Sequence, residues 1–310
     1  MIDLLRSASS LSILVFAISS MFAAGLSFTL REIVAPLREP DRVLRAILAN
    51  FVLVPLLAAA IARVMGLDAA QSIGLILIGS AAGAPFLLKL TAAAAGDVAL
   101  STSLLVLLVP LTVVLMPIVV PLLAPEAAVN AAAIAVPLVA TLLLPLAIGL
   151  VISGWAPRWT TALQPIARTV STIALVALLV FTIAVNAHHV AAVVASRALL
   201  AVLALLAGAF AIGYAVARPQ RETRIVLGLG TAQRNIAAAT VVAAEDIKDA
   251  DTLVLVVVAS ILDLAVLIPF ARWLRGRRAA PPGPEAGEGA AEHGPPWLGA
   301  PQQPSAGGST

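Results

Sequence analysis

The sequence predicts an all-α polytopic membrane protein with about nine transmembrane helices. Of its 310 residues, 61% are hydrophobic and 11% are charged, and the mean hydropathy is +1.06. Apolar runs of about 20 residues, the length that crosses a bilayer as a helix, recur along the chain. Two of these runs are interrupted by glycine, proline and polar residues. The composition excludes a soluble domain, and the two interruptions point to a binding site.

The predicted spans follow from the apolar runs and from the charged residues between them. They cover about residues 11–30, 43–64, 70–93, 98–123, 130–154, 168–188, 196–217, 223–245 and 251–274. The first run follows Arg6 as in a signal peptide, but it lacks a clear cleavage site and is long enough to span, so we assign it as a helix. Residues 1–278 form the predicted transmembrane domain. Residues 279–310, rich in Pro, Gly, Ala and Glu, are predicted to be a disordered cytoplasmic tail.

The distribution of basic residues predicts how the chain is oriented. With nine spans, the side that holds the N-terminus carries four Lys and Arg residues, and the opposite side carries thirteen. Cytoplasmic loops are enriched in these residues. We therefore expect a multi-pass protein of the plasma (inner) membrane, with its N-terminus outside and its C-terminus in the cytoplasm. The remaining two cations, Lys89 and Arg234, both lie in the interrupted spans.

The third predicted span is interrupted within residues 79–97. Gly83 and Pro85 stand in its apolar run, and Lys89 follows four residues after the proline. Pro85 cannot donate the helical hydrogen bond to the carbonyl of Ala81, so we expect the helix to break or kink here. Non-helical backbone at membrane depth is tolerated only where protein or a water-filled cavity covers it.

The eighth predicted span is interrupted within residues 228–246. Gln233, Arg234 and Asn235 are consecutive, and in an unbroken helix they would spread over roughly 200°, too much polarity to face lipid. The two interrupted spans run in opposite directions. Spans 1–4 and 6–9 would then be two inverted repeats joined by span 5, with discontinuous helices 3 and 8 crossing near mid-membrane. Interrupted segments in matching halves are the best sequence indication of a transporter's binding site.

Composition and motifs also exclude several classes of function. The basic residues lie between apolar runs, as membrane topology requires, and do not indicate a nucleic-acid partner. The chain has no cysteine and only three histidines, none inside an apolar run, so we expect neither thiolate chemistry nor a metal cluster. No paired acidic motif, zinc-binding His-Glu constellation or nucleophile with a base is present, so we do not expect an enzyme. A channel would give little reason for two broken helices in inverted halves.

Several motifs resemble the bile acid:sodium symporter family. They are MFAAGLSFTL in span 1, LANFVLVP in span 2, AGAP…LTAAAAGDVALS across spans 3 and 4, and GTAQRNIAAA in span 8. The resemblance covers about residues 15–275 and is to the nine-helix form of the family. It implies a core domain with two crossing discontinuous helices, a panel domain, and alternating access for organic anions such as bile acids, often with two sodium ions.

The resemblance also implies that one sodium site is altered. Positions that carry oxygen ligands in the family are leucines in this chain, namely Leu87, Leu88, Leu105 and Leu229. A leucine side chain has no oxygen that could bind sodium. The resemblance therefore implies that this site lacks most of its ligands, with Ser101 as its remaining hydroxyl. The second family site is matched in part, by Asn50 and Gln233. Sodium is therefore the one candidate cofactor, and we expect fewer than two sodium ions, or none, to be coupled to transport.

The candidate site residues come from the two interruptions and from polar residues in the neighbouring spans. Those assigned to substrate binding are Pro85, Lys89, Thr91, Gln233, Arg234 and Asn235. Those assigned to ion binding are Asn50, Ser101, Gln233 and Asp263.

Each assignment has a structural alternative. Lys89 either faces the cavity or extends its ammonium group to the cytoplasmic interface. Arg234 either binds an anion or pairs with Asp263, the only carboxylate well inside an apolar run. Asp263 is either that partner or a proton-titrating group. Asn50 and Ser101 either bind an ion or cross-link helices by hydrogen bonds, and cross-linking is the favoured role for Ser101.

The function predicted is secondary active transport of a small or amphipathic organic anion by alternating access. Its partners are this small molecule and the lipid bilayer. A carboxylate or sulfonate suits Arg234, because a guanidinium binds such groups bidentately. The alternatives are a sodium-independent or proton-linked carrier of another organic solute, and a membrane receptor or scaffold that does not transport.

Overall fold

The structure is built from membrane-spanning helices. The computed structural model describes residues 2–29, 39–127 and 129–276, and every regular element in these ranges is helical. Eight helices there are long and apolar enough to cross a membrane. The third hydrophobic segment is shorter, Ala69–Ser80, and a second helical piece follows it. The tail predicted for residues 279–310 lies outside the described residues.

The main helices are numbered α1 to α12 in chain order. They are α1 Ile2–Gly25, α2 Pro40–Met65, α3 Ala69–Ser80, α4 Leu87–Ala93, α5 Val98–Leu123, α6 Ala131–Trp155, α7 Pro157–Val185, α8 Ala187–Ala195, α9 Arg197–Val216, α10 Arg221–Ala232, α11 Ile236–Val242 and α12 Ala250–Gly276. Three of the spans contain a wider, π-helical turn. These turns are Leu48–Leu53 in α2, Val139–Leu143 in α6, and Ala243–Ile247, which continues α11.

All nine predicted spans correspond to helical segments, but two of them begin much earlier than predicted, whereas the other early starts differ by at most three residues. The helices predicted at 11–30 and 168–188 begin at residues 2 and 157, nine and eleven residues earlier. The predictions placed one start after Arg6 and the other at Arg168, but in the structure both basic residues lie within their helices. The side chain of Arg168 lies at the helix surface and donates a 3.2 Å hydrogen bond to the hydroxyl of Ser27. Helical backbone therefore extends beyond the apolar run from which each span was predicted.

Small residues bring α1 and α6 into backbone contact. A Cβ atom added to Gly25 would lie 2.2 Å from the carbonyl oxygen of Leu146, and one added to Gly149 would lie 2.5 Å from that of Phe22. No side chain fits either position, so glycine permits this close approach.

The interrupted eighth span lies in the interior of the helical domain. In its most apolar window, within residues 221–247, 94% of the residues are buried, compared with 22% within Pro157–Val185 of α7. A span so enclosed can carry polar residues without exposing them to lipid. The inverted symmetry of the two repeats and the division into core and panel domains stay predictions.

Candidate substrate and ion site at the helix breaks

The third span is broken, as predicted. Helix α3 ends at Ser80 and α4 begins at Leu87. Gly83 has a φ of +74°, and an added Cβ would lie 2.8 Å from both the Cβ of Leu108 and the backbone nitrogen of Val109. Only glycine suits a position with this backbone conformation and so little space. Pro85 is half-buried within the break, so the helix ends before the proline is reached.

The eighth span is also broken, at the predicted polar triplet. Helix α10 ends at Ala232, and α11 begins at Ile236. The side-chain oxygen of Asn235 accepts a 3.1 Å hydrogen bond from the backbone N–H of Ala238 and so caps the start of α11. Gly230, three residues before the triplet, lies inside α10.

The two breaks are joined by hydrogen bonds. The backbone N–H of Asn235 donates to the carbonyl of Ala81 at 2.8 Å, and its side-chain amide donates to the carbonyl of Gly83 at 2.8 Å. On the other side, the Thr112 hydroxyl donates to the carbonyl of Ala82 at 2.8 Å and accepts from the N–H of the same residue at 3.0 Å. Non-helical backbone at membrane depth needs such partners, because no water replaces them there.

Arg234 lies at the centre of this junction, with only 2% of its surface exposed. Its Nε donates to the carbonyl of Ile78 at 3.0 Å, and Nη2 donates to the carbonyl of Gly79. Its Nη1 donates at 3.0 Å to both the side-chain oxygen of Asn50 and the carbonyl of Thr231. Four of the five N–H groups of the guanidinium are therefore used, all on neutral oxygens.

Asn50 connects α2 to the same junction. It is fully buried in the π-helical turn, and its amide group donates to the carbonyl of Ala46 at 3.0 Å and to the hydroxyl of Thr231 at 3.3 Å. Together with its bond from Arg234, these contacts show that Asn50 cross-links helices. Its predicted role in ion binding stays a prediction.

Asp263 is 4% exposed and lies beside the junction without being bonded to it. Neither carboxylate oxygen has a donor within 3.5 Å in the described residues. The side chain of Gln233 lies close enough for a longer hydrogen bond, and Arg234 interacts with the carboxylate electrostatically. A cavity of about 20 Å³ is lined by Asp263, Arg234, Asn235 and Ser260, and otherwise mainly by apolar side chains. That volume accommodates about one water molecule.

The remaining candidate residues are more dispersed. Thr91 and Gln233 are buried, and their side-chain oxygens have no hydrogen-bond partner in the described part of the chain. Lys89 is exposed, with its Nζ 5.5 Å from the centre of the Phe86 ring. The Ser101 hydroxyl donates to the carbonyl of Val98 in its own helix at 2.8 Å. The hydroxyl donor of Ser101 is therefore used within its own helix, and its predicted roles stay predictions.

Leucines pack tightly beside the eighth-span break. Leu87, Leu105 and Leu229 are each at most 1% exposed. A Cβ added to Gly230 would lie 3.1 Å from the Cδ2 of Leu87. The side chains that replace the oxygens expected from the resemblance are thus part of a close-packed apolar region.

Two threonines of the junction were missed by the sequence analysis. Thr112 bonds both backbone groups of Ala82, and Thr231 contributes its hydroxyl to Asn50 and its carbonyl to Arg234. The available signal for Thr112 was that it carries the one hydroxyl among residues 104–123 of α5. Backbone carbonyls carry no sequence signal.

Comparison with known proteins identifies the family. No curated protein matches the chain. The model of the sodium bile acid symporter family matches residues 13–197, more than half of the chain, and this match includes the break in the third span. The name of the family describes transporters of small molecules, which agrees with a multi-pass helical structure. The chain therefore belongs to the sodium bile acid symporter family.

Proposed function

We propose that the chain is a secondary active transporter that carries a small or amphipathic organic anion by alternating access. The observation that carries the proposal is the junction of two helix breaks in the protein interior. Discontinuous helices in matching halves of a transporter characteristically form its binding site. The transporter would lie in the plasma (inner) membrane, with its N-terminus outside and its C-terminus in the cytoplasm.

The charge at the breaks favours an anionic substrate. Arg234 lies in one break, and Lys89 lies on α4, directly after the other. Because the ammonium group of Lys89 is exposed, an anion can approach it. The partly buried Phe86 and Ile236 offer apolar surface for the hydrophobic part of an amphipathic molecule.

Arg234 links substrate binding to the junction. Bidentate binding of a carboxylate needs two N–H groups. Four of the five N–H groups of Arg234 already donate to the oxygens described above, so only one is unused. An anion held bidentately would therefore displace at least one of these oxygens. Binding would loosen the connection between the breaks, and such a change is what alternating access requires.

Coupling to two sodium ions is not part of the proposal. The buried leucines Leu87, Leu105 and Leu229 supply no oxygen ligands, which supports coupling to fewer than two sodium ions or to none. A proton-linked carrier is the second candidate, favoured by the buried, unbonded carboxyl group of Asp263 beside a water-sized cavity. Carboxylates inside membrane spans commonly relay protons.

Uptake into proteoliposomes tests the function. A panel of carboxylates and sulfonates would be offered under a sodium gradient, a proton gradient or neither. We expect saturable uptake of an organic acid, with at most a first-order dependence on sodium concentration. A steep, second-order dependence on sodium would contradict the coupling. Failure of the whole panel under all three conditions would favour the receptor or scaffold alternative.

A pair of variants tests the anion site. Lys89→Gln removes the exposed ammonium group beside the third-span break and should raise the KM for the organic acid. Arg63→Gln removes an exposed cation at the end of α2, away from the breaks, and should leave the KM unchanged. Equal KM values for Lys89→Gln and wild type would place the anion site elsewhere.

A further inference from the structure

Three of the four oxygens around Arg234 come from the ends of two helices. Ile78 and Gly79 lie in the last turn of α3, and Thr231 lies in the last turn of α10. Carbonyls in the last turn of a helix lack the full set of helical partners. They also carry the negative partial charge of the helix dipole, equivalent to about −0.5 elementary charge for each helix.

The C-terminal ends of α3 and α10 both direct partial negative charge at the same place, so a positive charge between them stabilises the arrangement. The side-chain oxygen of Asn50 adds a fourth acceptor from α2. No acidic side chain of the described residues forms an ion pair with Arg234, and Asp263 interacts with it only over a longer distance, so the direct contacts of the guanidinium are all with neutral oxygens. Carbonyl and amide oxygens grouped in this way are the ligands with which proteins replace the hydration shell of a small cation.

We infer that these four oxygens form a site for a monovalent cation and that the guanidinium of Arg234 permanently fills it. The class of ligand is a guanidinium or a small monovalent metal ion. Because the occupant is covalently attached, it cannot dissociate into solution as a free ion does, although a bound anion can displace one of its four oxygens. The site therefore ties α2, α3 and α10 together and cannot exchange sodium. This consequence for coupling rests on the proposed transport function, whereas the cation site itself does not.

Chemical rescue of Arg234→Ala tests the inference on the purified full-length chain. The variant opens the oxygen site, so its melting temperature should fall below that of wild type. Guanidinium chloride at low millimolar concentrations should then raise it saturably by about 2–4 °C. Wild type should not respond, because its site is filled. Choline chloride at matched chloride concentration controls for the anion, and sodium chloride tests whether the metal ion also binds.

The matched control is Arg224→Ala in the same helix, α10. The guanidinium of Arg224 lies 5.4 Å from the centre of the Tyr214 ring and outside the oxygen site. Guanidinium should not stabilise this variant. The inference is overturned if Arg234→Ala gains no more from guanidinium than from choline, or if Arg224→Ala gains as much as Arg234→Ala.

If Arg234→Ala does not fold, a second pair of variants tests whether the oxygen site needs a positive charge. Arg234→Lys keeps a positive charge, whereas Arg234→Gln keeps hydrogen-bond donors without one. The lysine variant should melt at the higher temperature, since the two helix ends need charge. An equal or higher melting temperature for the glutamine variant would overturn the inference. These measurements use neither substrate nor uptake, so they stand or fall separately from the proposed function.

Discussion

The two helix breaks that meet in this protein differ in what they contribute. The third-span break contributes acceptors, the backbone carbonyls of Ala81 and Gly83, and its path depends on a glycine with positive φ. The eighth-span break contributes donors, from Arg234 and Asn235, and has no positive φ. One break therefore depends on the size of its residues and the other on their chemistry. Substitutions should reveal this difference.

The largest expected effect is at the glycine of the third-span break. Gly83→Ala places a Cβ 2.8 Å from the backbone of α5 in a left-handed conformation, and should lower the free energy of unfolding by roughly 2–5 kcal/mol. Gly230→Ala in α10 meets the flexible side chain of Leu87 at 3.1 Å, so its effect should stay within about 1 kcal/mol. Thermal unfolding in detergent compares the two. Equal losses of stability in the two variants would show that the third-span break does not depend on the small size of Gly83.

The next effect tests the chemistry of the eighth-span break. Asn235→Leu removes the cap of α11 and the bond to Gly83, leaving two buried backbone groups unpaired, which should cost about 2–4 kcal/mol. The control is Asn186→Leu: within the described residues, the half-buried side-chain amide of Asn186 bonds only the carbonyl of Thr182, in the helix that Asn186 follows. Its effect should be clearly smaller in the same unfolding experiment. A small effect of Asn235→Leu would mean that the breaks are held together by other contacts.

A smaller effect is expected at Thr112, which supports the third-span break from α5. Thr112→Val preserves the shape of the side chain and leaves the N–H and carbonyl of Ala82 without this partner, at a cost of roughly 1–3 kcal/mol. Thr141→Val, in which a buried hydroxyl bonds within its own helix, should change stability by less than about 0.5 kcal/mol. Indistinguishable melting temperatures would argue against this support.

The smallest effect on stability is expected beside the eighth-span break. Asp263→Asn removes a carboxyl group that forms no hydrogen bond within the described residues, so stability should change by no more than about 1 kcal/mol. The response of uptake to an imposed proton gradient should nevertheless be lost. Proteoliposomes containing the variant test this, and an unchanged response would remove Asp263 from the coupling mechanism.

The sequence was sufficient to locate both breaks, because the residues that cause them are distinctive. Gly83 and the triplet Gln233, Arg234 and Asn235 stood out from apolar runs. The predicted loss of the helical bond between Pro85 and the carbonyl of Ala81 is also informative, since that carbonyl accepts from the N–H of Asn235 instead. An acceptor left over in one break became the partner of a donor in the other.

The partners of Arg234 could not be predicted. A buried guanidinium suggested either an anion or Asp263, because charged partners can be recognised in a sequence. Its observed acceptors are three backbone carbonyls and the amide oxygen of Asn50. Every residue has a carbonyl, and only the folded chain determines which ones meet. The exposure of Lys89 likewise depends on how α4 packs.

The π-helical turn that holds Asn50 makes the length of α2 as important as its residues. The turn precedes Pro55, which has no N–H to donate, and the N–H of Val54 bonds the carbonyl of Ala49, five residues back. A regular α-helix advances about 100° per residue. A π turn rotates through a smaller angle per residue, so over its length it accommodates one residue more than an α-helix does. Deleting one residue between Leu48 and Leu53 would therefore restore regular winding and leave the two flanking parts of the helix in nearly the same orientation. The deletion would instead change the direction in which the residues of the turn point, and Asn50, with its bonds to Thr231 and from Arg234, is one of them.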